Sequence, residues 1–201
     1  MGVNNFMIDN NKEVQECNIN KWNGYYVNLP DDPSAFLYGD TVTYEKAASF
    51  LLDCKTVEDW GCGGGGFLRF RKDAIGVDGS DTKFAIKKFI DLKTYSSDCD
   101  GIHMRHVLEH NYAWKNILKN ALNSAKEKLV ITFFIPVNDK GVTVEISHNK
   151  PLGVDVPDLS ISEEEFLNIL REHKPKISKV ETLTLSSNTQ YGKEQIFYIT
   201  K

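Results

Sequence analysis

The amino-acid sequence predicts an α/β protein with a doubly wound, mostly parallel sheet of the seven-stranded type, an antiparallel edge strand and helices on both faces. Three observations support this prediction. Apolar runs of strand length alternate with segments of helical spacing, a run of glycines follows the first buried run, and residues 176–185 and 194–201 form two strand-like segments around a short turn. Strands that alternate with helices form parallel sheets, and a final strand pair adds an antiparallel edge.

Each predicted element has a local signal. Apolar residues recur every three or four positions from Trp114 to Ala125, which is helical spacing. Ser162 followed by Glu165 is a capping box at a helix start. In chain order the predicted elements are a helix at 43–54, strands at 56–60 and 74–80, a strand that begins at 99, a helix that begins at 114, a strand at 128–135, a helix at 163–173 and the final strand pair. Residues 138–159 are interpreted as a long irregular connection, a type of segment that is usually functional or disordered.

The length and composition indicate one compact domain preceded by an arm. The chain has 201 residues, of which 41% are hydrophobic, enough for one core. Residues 1–40 are polar but contain an aromatic cluster, and we expect them to form an arm that closes over the site as a lid and contributes to it. Residues 41–201 are expected to form the single main domain.

The charge and the cysteines narrow the class of protein. The formal net charge of −4 gives no indication of a nucleic-acid partner. The four cysteines are far apart and form no C-x-x-C pair, which argues against a zinc knuckle or a disulfide framework. No segment approaches the roughly 18 apolar residues of a membrane span. The sequence therefore predicts a soluble, cytoplasmic protein that does not bind a membrane.

The glycine run lies beside two acids, Glu58 and Asp59, in the segment VEDWGCGGG. Gly61, Gly63 and Gly66 fit a dinucleotide-binding pattern, and Asp78 lies near the offset of a ribose-binding acid, which would permit NAD. A carboxylate at this turn would repel a pyrophosphate. S-adenosylmethionine has no phosphate and carries an ammonium and a sulfonium. The acids therefore favour S-adenosylmethionine over NAD.

Four segments in order, VEDWGCGGG, IGVDGS, FIDL and DGIHMRHVLEHN, followed by a helix and KLVITFFIP, resemble the class I S-adenosylmethionine-dependent methyltransferases over residues 41–201. The resemblance implies S-adenosylmethionine as methyl donor and S-adenosylhomocysteine as product. It also implies the donor-binding residues: Asp59, Gly61, Gly63 and Gly65 at the methionine portion, Asp78 at the ribose hydroxyls, Asp91 or Leu92 at the adenine, and Arg105 and His106 near the methyl group. The interval between Asp78 and Asp91 is short, so the helix and strand usual there must be abbreviated.

The segment HVLEH places His106, Glu109 and His110 in the order of an inverted zinc-protease motif. That motif requires a helix, whereas this segment follows a predicted strand. It is similar to the LEH segment of these methyltransferases, where the histidine lies beside the acceptor. Some RNA methyltransferases hold a metal with such an E-H pair and a later histidine, here His148; alternatively, Glu109 caps the next helix and His110 packs under the connection. We expect no metal.

A hydroxyl acceptor must lose a proton, and an imidazole is suited to accept it. The candidate bases are His110, then His106, then His148. The acceptor is expected to contact the arm and the 138–158 connection through Tyr25, Tyr26, Tyr38, His110 and His148.

These side chains favour a polar small molecule such as a sugar, a sugar phosphate or a hydroxylated metabolite. Nucleic acid is disfavoured, although an RNA methyltransferase, an NAD-dependent oxidoreductase and a non-catalytic protein of the same fold remain alternatives. The sequence does not indicate an oligomeric state.

Overall fold

The computed structural model describes residues 6–26, 29, 31, 41–149, 156–184 and 192–201, with the backbone alone at 6 and 147–149. Tyr38 lies outside the described residues. The strands are β1 Phe6–Met7, β2 Val57–Trp60, β3 Ile75–Val77, β4 Cys99–Arg105, β5 Ala125–Phe133, β6 Val144–Asn149, β7 Val156–Ser160, β8 Lys176–Thr184 and β9 Lys193–Thr200. The helices are α1 Asn10–Gln15, α2 Asn23–Tyr26, α3 Val42–Phe50, α4 Trp114–Ser124 and α5 Glu163–His173.

The main sheet has the strand order β3-β2-β4-β5-β9-β8. The first four strands are parallel, and β9 is antiparallel to both β5 and β8. The predicted α/β class with a mostly parallel sheet and antiparallel pairing at one edge is confirmed, and the reversed strand lies one place in from that edge. The described sheet has six strands rather than seven, because the short segment after Asp78 contributes only a single bridge, between Val77 and Lys87.

The two faces of the sheet are covered by different helices. Successive side chains of a strand point to opposite faces. Val57, Val130 and Ile196 accordingly pack in one cluster with residues of α3. Trp60 and Ile131 pack in the other cluster, with residues of α4 and α5. The prediction of helices on both faces is confirmed.

Helix α5 begins and ends as its sequence predicts. The Ser162 hydroxyl accepts a hydrogen bond from the Glu165 N–H at 3.2 Å, which satisfies one of the unpaired N–H groups of the first turn. The helix ends at Lys174, which has a left-handed backbone with φ of 54°. Its apolar residues Phe166, Ile169 and Leu170 are buried.

The prediction of an irregular connection at 138–159 is wrong. Strands β6 and β7 lie within it and form a second, antiparallel sheet of order β1-β6-β7. The β-branched residues Thr143, Val144 and Ile146 favour a strand, but Gly141 and Pro151 beside them resemble loop signals. The sheet also includes β1, near the start of the chain, whose pairing with β6 no local pattern could indicate.

Residues 6–26 of the arm form β1, α1 and α2. The Asp9 side chain caps α1 by accepting a hydrogen bond from the Asn11 N–H at 2.9 Å. Among the described helices, none has the length and apolar character that crossing a membrane requires.

Candidate cofactor and acceptor site

A cavity of about 220 Å³ lies at the carboxyl ends of the parallel strands. The glycine turn after β2, the ends of β3 and β4, and the arm form its walls. Ligands of open α/β sheets bind at this edge, outside the carboxyl ends of the strands. The cavity is therefore the candidate site.

The glycine turn leaves bare backbone against the cavity. Gly61 and Gly63 have φ of 74° and 47°, a region that side chains with a Cβ rarely adopt. A Cβ on Gly61 would lie 2.6 Å from Val107 Cγ2, and one on Gly63 would lie 2.9 Å from Tyr26 Cζ. Gly65 has φ of 74° and packs against Phe84, away from the cavity wall.

Asp78 joins the end of β3 to this turn. One carboxylate oxygen accepts the Gly63 N–H at 2.9 Å, and the other accepts the Ser80 N–H at 2.8 Å and the Ser80 hydroxyl at 2.6 Å. Burial raises the pKa of Asp78, and the Ser80 hydroxyl opposes that effect. Asp78 lines the cavity, as a group that binds ribose hydroxyls must.

Asp59 lies beneath the turn rather than in the cavity wall. Its side chain is buried, and its Oδ1 is 2.7 Å from Nδ1 of His103, whose ring stacks on Phe67. Asp59 points to the same face of the sheet as Val57, away from Trp60. Its role at the methionine portion stays a prediction, and the geometry allows it to act there only through other groups.

Of the two residues predicted to border the adenine, only one lines the cavity. Leu92 lines the cavity together with Ile90 and Asn18. The Asp91 carboxylate instead accepts hydrogen bonds from the Asn18 amide at 3.1 Å and from the Lys93 N–H at 2.9 Å. Asp91 thus holds the arm near the cavity without lining it.

Arg105 and His106 share one carboxylate, Glu194, at the start of β9. Arg105 donates to Glu194 and to the Tyr44 hydroxyl at 2.8 Å, and His106 Nε2 lies 2.7 Å from Glu194 Oε1. Burial, together with the charge of Arg105, lowers the pKa of His106 to about 3. His106 is therefore neutral at physiological pH. Glu194 is not among the residues predicted from the sequence, because its only signal there is a carboxylate in a buried strand.

Glu109 does not cap the helix that follows it. Its side chain is fully buried, and its Oε1 accepts the Phe134 N–H at 2.7 Å after the end of β5. The side chain of His148 is not described, so the metal alternative stays untested. Within the ranges that the structure describes, no three His, Cys, Asp or Glu side chains are grouped as a metal site requires.

Replacing Glu109 by Gln should flatten the pH dependence of stability. Burial raises the pKa of Glu109 from 4.5 to about 8, so the folded protein keeps a proton that the unfolded chain releases. As the pH rises from 4.5 to about 8, the titration of Glu109 should lower the free energy of unfolding by about 1.4 kcal/mol per pH unit. Urea unfolding at pH 5 and pH 8 should show the fall in the wild type and less of it in Glu109→Gln. Glu127→Gln, at an exposed position, is the control; equal slopes in all three proteins would contradict the prediction.

His110 lines the same cavity as Asp78. Its Nδ1 is 3.0 Å from the Pro157 carbonyl and 3.2 Å from Oδ1 of Asp158, both on β7. A carbonyl only accepts hydrogen bonds, so Nδ1 carries a proton and the lone pair of the neutral ring is on Nε2. Asp158, which the sequence did not indicate as a partner of His110, lies where it stabilises positive charge on the ring.

The arm supplies the aromatic wall. Trp22, Tyr25 and Tyr26 line the cavity, and their ring centroids lie 5.2–6.0 Å apart. The Trp22 ring meets the edge of His110 at 5.3 Å. Burial raises the pKa of Tyr26, and the nearby Asp78 raises it further. Of the predicted acceptor residues, the structure brings together Tyr25, Tyr26 and His110.

Comparison with known proteins gives similarity in structure alone. No protein-family model matches the sequence, and no curated protein matches it. The magnesium protoporphyrin IX methyltransferase of Synechocystis PCC 6803, solved with S-adenosylhomocysteine, superposes with a TM-score of 0.55 at 14% identity, over 80% of this chain and 83% of that chain. The fold is that of the class I S-adenosylmethionine-dependent methyltransferases.

Two further structures of this methyltransferase fold show its range. The 1,6-didemethyltoxoflavin-N1-methyltransferase of Burkholderia thailandensis, solved with 1,6-didemethyltoxoflavin and S-adenosylhomocysteine, has a TM-score of 0.59 at 13% identity, over 80% of this chain and 76% of that chain. The [4+2]-cyclase SpnF has a TM-score of 0.55 at 16% identity, over 80% of both chains. Since a cyclase shares the methyltransferase fold, the reaction has to be argued from the site.

Proposed function

We propose that the protein is an S-adenosylmethionine-dependent methyltransferase that methylates a hydroxyl group of a polar small molecule, such as a sugar, a sugar phosphate or a hydroxylated metabolite. The observation that carries the proposal is one cavity with two different walls. Asp78 and the glycine turn form the first, and His110, held in one tautomer by β7, forms the second.

The first wall fits the methyl donor. Gly61 and Gly63 line the cavity with backbone, and a Cβ on either would collide with Val107 or Tyr26. The buried Asp78 carboxylate is suited to accept hydrogen bonds from both ribose hydroxyls when one of them takes the place of the Ser80 hydroxyl. Leu92 and Ile90 offer apolar surface to a purine. When bound, the donor supplies an electrophilic methyl group on a sulfonium.

The second wall supplies the base. His110 Nε2 takes the proton of the acceptor hydroxyl, and Asp158 stabilises the imidazolium that results. His106, the second candidate, is a weaker base because its pKa is lowered to about 3. Its close contact with Glu194 suits it instead to shape the cavity wall beside Arg105.

The arm, residues 1–40 in the division proposed from the sequence, acts as the lid. Its described part covers the glycine turn with Tyr26 and packs Trp22 on His110. A closed arm excludes water from the reacting groups, and alignment without water is most of what methyl transfer requires of a protein.

The first test is ligand binding. We expect S-adenosylmethionine and S-adenosylhomocysteine to bind with micromolar-range affinity and to raise the melting temperature, because Asp78 and the glycine turn are already in place. Calorimetry and thermal shift measure this, with NAD and NADP offered in parallel. If NAD raises the melting temperature and S-adenosylmethionine does not, the proposal is wrong and an NAD-dependent oxidoreductase is favoured.

The second test is turnover. Sugars, sugar phosphates and hydroxylated metabolites are screened with S-adenosylmethionine, and release of S-adenosylhomocysteine is measured. Methylation of an oligonucleotide and of none of these compounds would contradict the small-molecule acceptor. Donor binding without turnover on any compound would favour a non-catalytic protein of the methyltransferase fold.

A further inference from the structure

Two charged residues of the arm form a buried ion pair next to His110. Lys21 Nζ lies 2.7 Å from Glu16 Oε1, and both side chains are only 4% exposed. A buried ion pair contributes little net stability, because removing both charges from water costs about as much as their attraction returns. The pair therefore matters for the geometry that it fixes, which depends on the other groups that the two side chains contact.

Glu16 holds the start of α4. Its two carboxylate oxygens accept the N–H groups of Tyr112 and Ala113, at 3.0 and 2.8 Å. These N–H groups precede the first turn of α4, where helices lack internal acceptors. A residue almost one hundred positions earlier in the chain thus takes the role that Glu109 was expected to fill.

Lys21 holds His110 itself. Its Nζ donates to the His110 carbonyl at 2.8 Å, in addition to its bond with Glu16. The next residue, Trp22, meets the ring of His110 at 5.3 Å. The arm therefore contacts His110 at both its backbone and its ring, while β7 holds Nδ1 from another side.

We infer that Glu16 and Lys21 are positioning residues that align His110 only when the arm is closed over the cavity. The inference rests on the proposed function, in which His110 is the base. The same two residues that fasten the arm also fix residues 110–113, so closing the lid and aligning the base are one event. A hydroxyl then loses its proton only in a cavity from which water is excluded, and an open arm leaves His110 misaligned.

The test variant is Lys21→Met, which keeps the length of the side chain and removes its charge and donors. We expect kcat to fall about 10- to 100-fold, since small displacements of a reacting group have effects of this size. Lys21 lines the cavity, but its Nζ is engaged by Glu16 and the His110 carbonyl, so the Kd of S-adenosylhomocysteine and the KM of the acceptor should change about threefold or less. The ring signals of His110 in the ¹⁵N NMR spectrum, assigned with His110→Asn, should shift or broaden in the absence of any ligand.

The matched control is Lys128→Met. Lys128 likewise donates to a backbone carbonyl, that of Phe50 at 3.0 Å, and to a carboxylate, that of Asp53, but it lies at the other end of the sheet. It should lower the melting temperature without changing kcat or the His110 signals. Glu16→Gln, which weakens the same contacts from the other partner, should reproduce the effects of Lys21→Met.

The outcomes separate this inference from the proposed function. If Lys21→Met keeps the wild-type kcat and His110 spectrum, the inference is wrong and the methyltransferase assignment stands. If the wild type binds neither S-adenosylmethionine nor S-adenosylhomocysteine, the proposed function fails and the inference about a base fails with it; an altered His110 spectrum would then support only the contact. Equal losses of kcat in Lys21→Met and Lys128→Met would attribute the effect to stability and overturn the inference.

Discussion

Replacing His110 by Asn is expected to reduce kcat about 10²- to 10⁴-fold, the range that a general base contributes. Asn cannot accept the proton of the acceptor hydroxyl, while its size and polarity keep the cavity filled. The affinity for S-adenosylhomocysteine should stay within about threefold of the wild type, because Asp78 and the glycine turn are untouched. Steady-state kinetics on the acceptor found by screening, together with calorimetry, measure both quantities.

Two further histidine variants serve as comparisons for His110→Asn. His106→Asn should reduce kcat less, because a group with a pKa of about 3 contributes little as a base. His173→Asn, at the end of α5, should change nothing in the reaction, since that ring bonds to the carbonyl of Ile169 in its own helix and does not line the cavity. Full activity of His110→Asn, or a larger loss of kcat in His106→Asn, would show that His110 is not the base.

Replacing Asp78 by Ala is expected to weaken the binding of S-adenosylhomocysteine about 10²- to 10⁴-fold. The variant removes two charge-assisted hydrogen bonds to the ribose, each contributing about 1.5–3 kcal/mol. It also releases the Gly63 N–H, so the glycine turn loses a support. Calorimetry measures the affinity, and circular dichroism checks that the fold is retained.

Ser80→Ala is the matched control for Asp78→Ala. It deletes one hydroxyl that bonds to Asp78 and leaves the carboxylate in place. Its effect on affinity should therefore stay below about tenfold. Unchanged binding by Asp78→Ala in a folded protein would remove Asp78 from the site and leave the assignment of the donor without its main support.

Those parts of the molecule that depend on neighbouring residues could be predicted from the sequence. The capping box of α5, the helical spacing of α4 and the alternation of β-type segments all act over a few positions, and each gave the correct element. The orientation of the Asp59 side chain could also be predicted from the sequence. The apolar neighbours Val57 and Trp60 belong to opposite faces, and Asp59 shares the face of Val57, so it could not point into the same cluster as Trp60.

The remaining parts depend on residues that are far apart in the chain. Glu194 meets Arg105 across 89 positions, and Glu16 meets Ala113 across 97. Asp158 reaches His110 from β7, which pairs with β6 in a second sheet. A carboxylate that forms such a contact looks the same in the sequence as one exposed to solvent, so no local pattern distinguishes them.

The position of β9 has a consequence for how the protein is made. Synthesis proceeds from the amino terminus, and β9 is the last strand of the sheet to be translated, yet it lies between β5 and β8. Until it arrives, β5 presents an open edge, β8 has no neighbour in the sheet, and Arg105 lacks the Glu194 carboxylate. Open strand edges promote aggregation. The interval between translation of β5 and of β9 is therefore when the nascent chain is most exposed to aggregation.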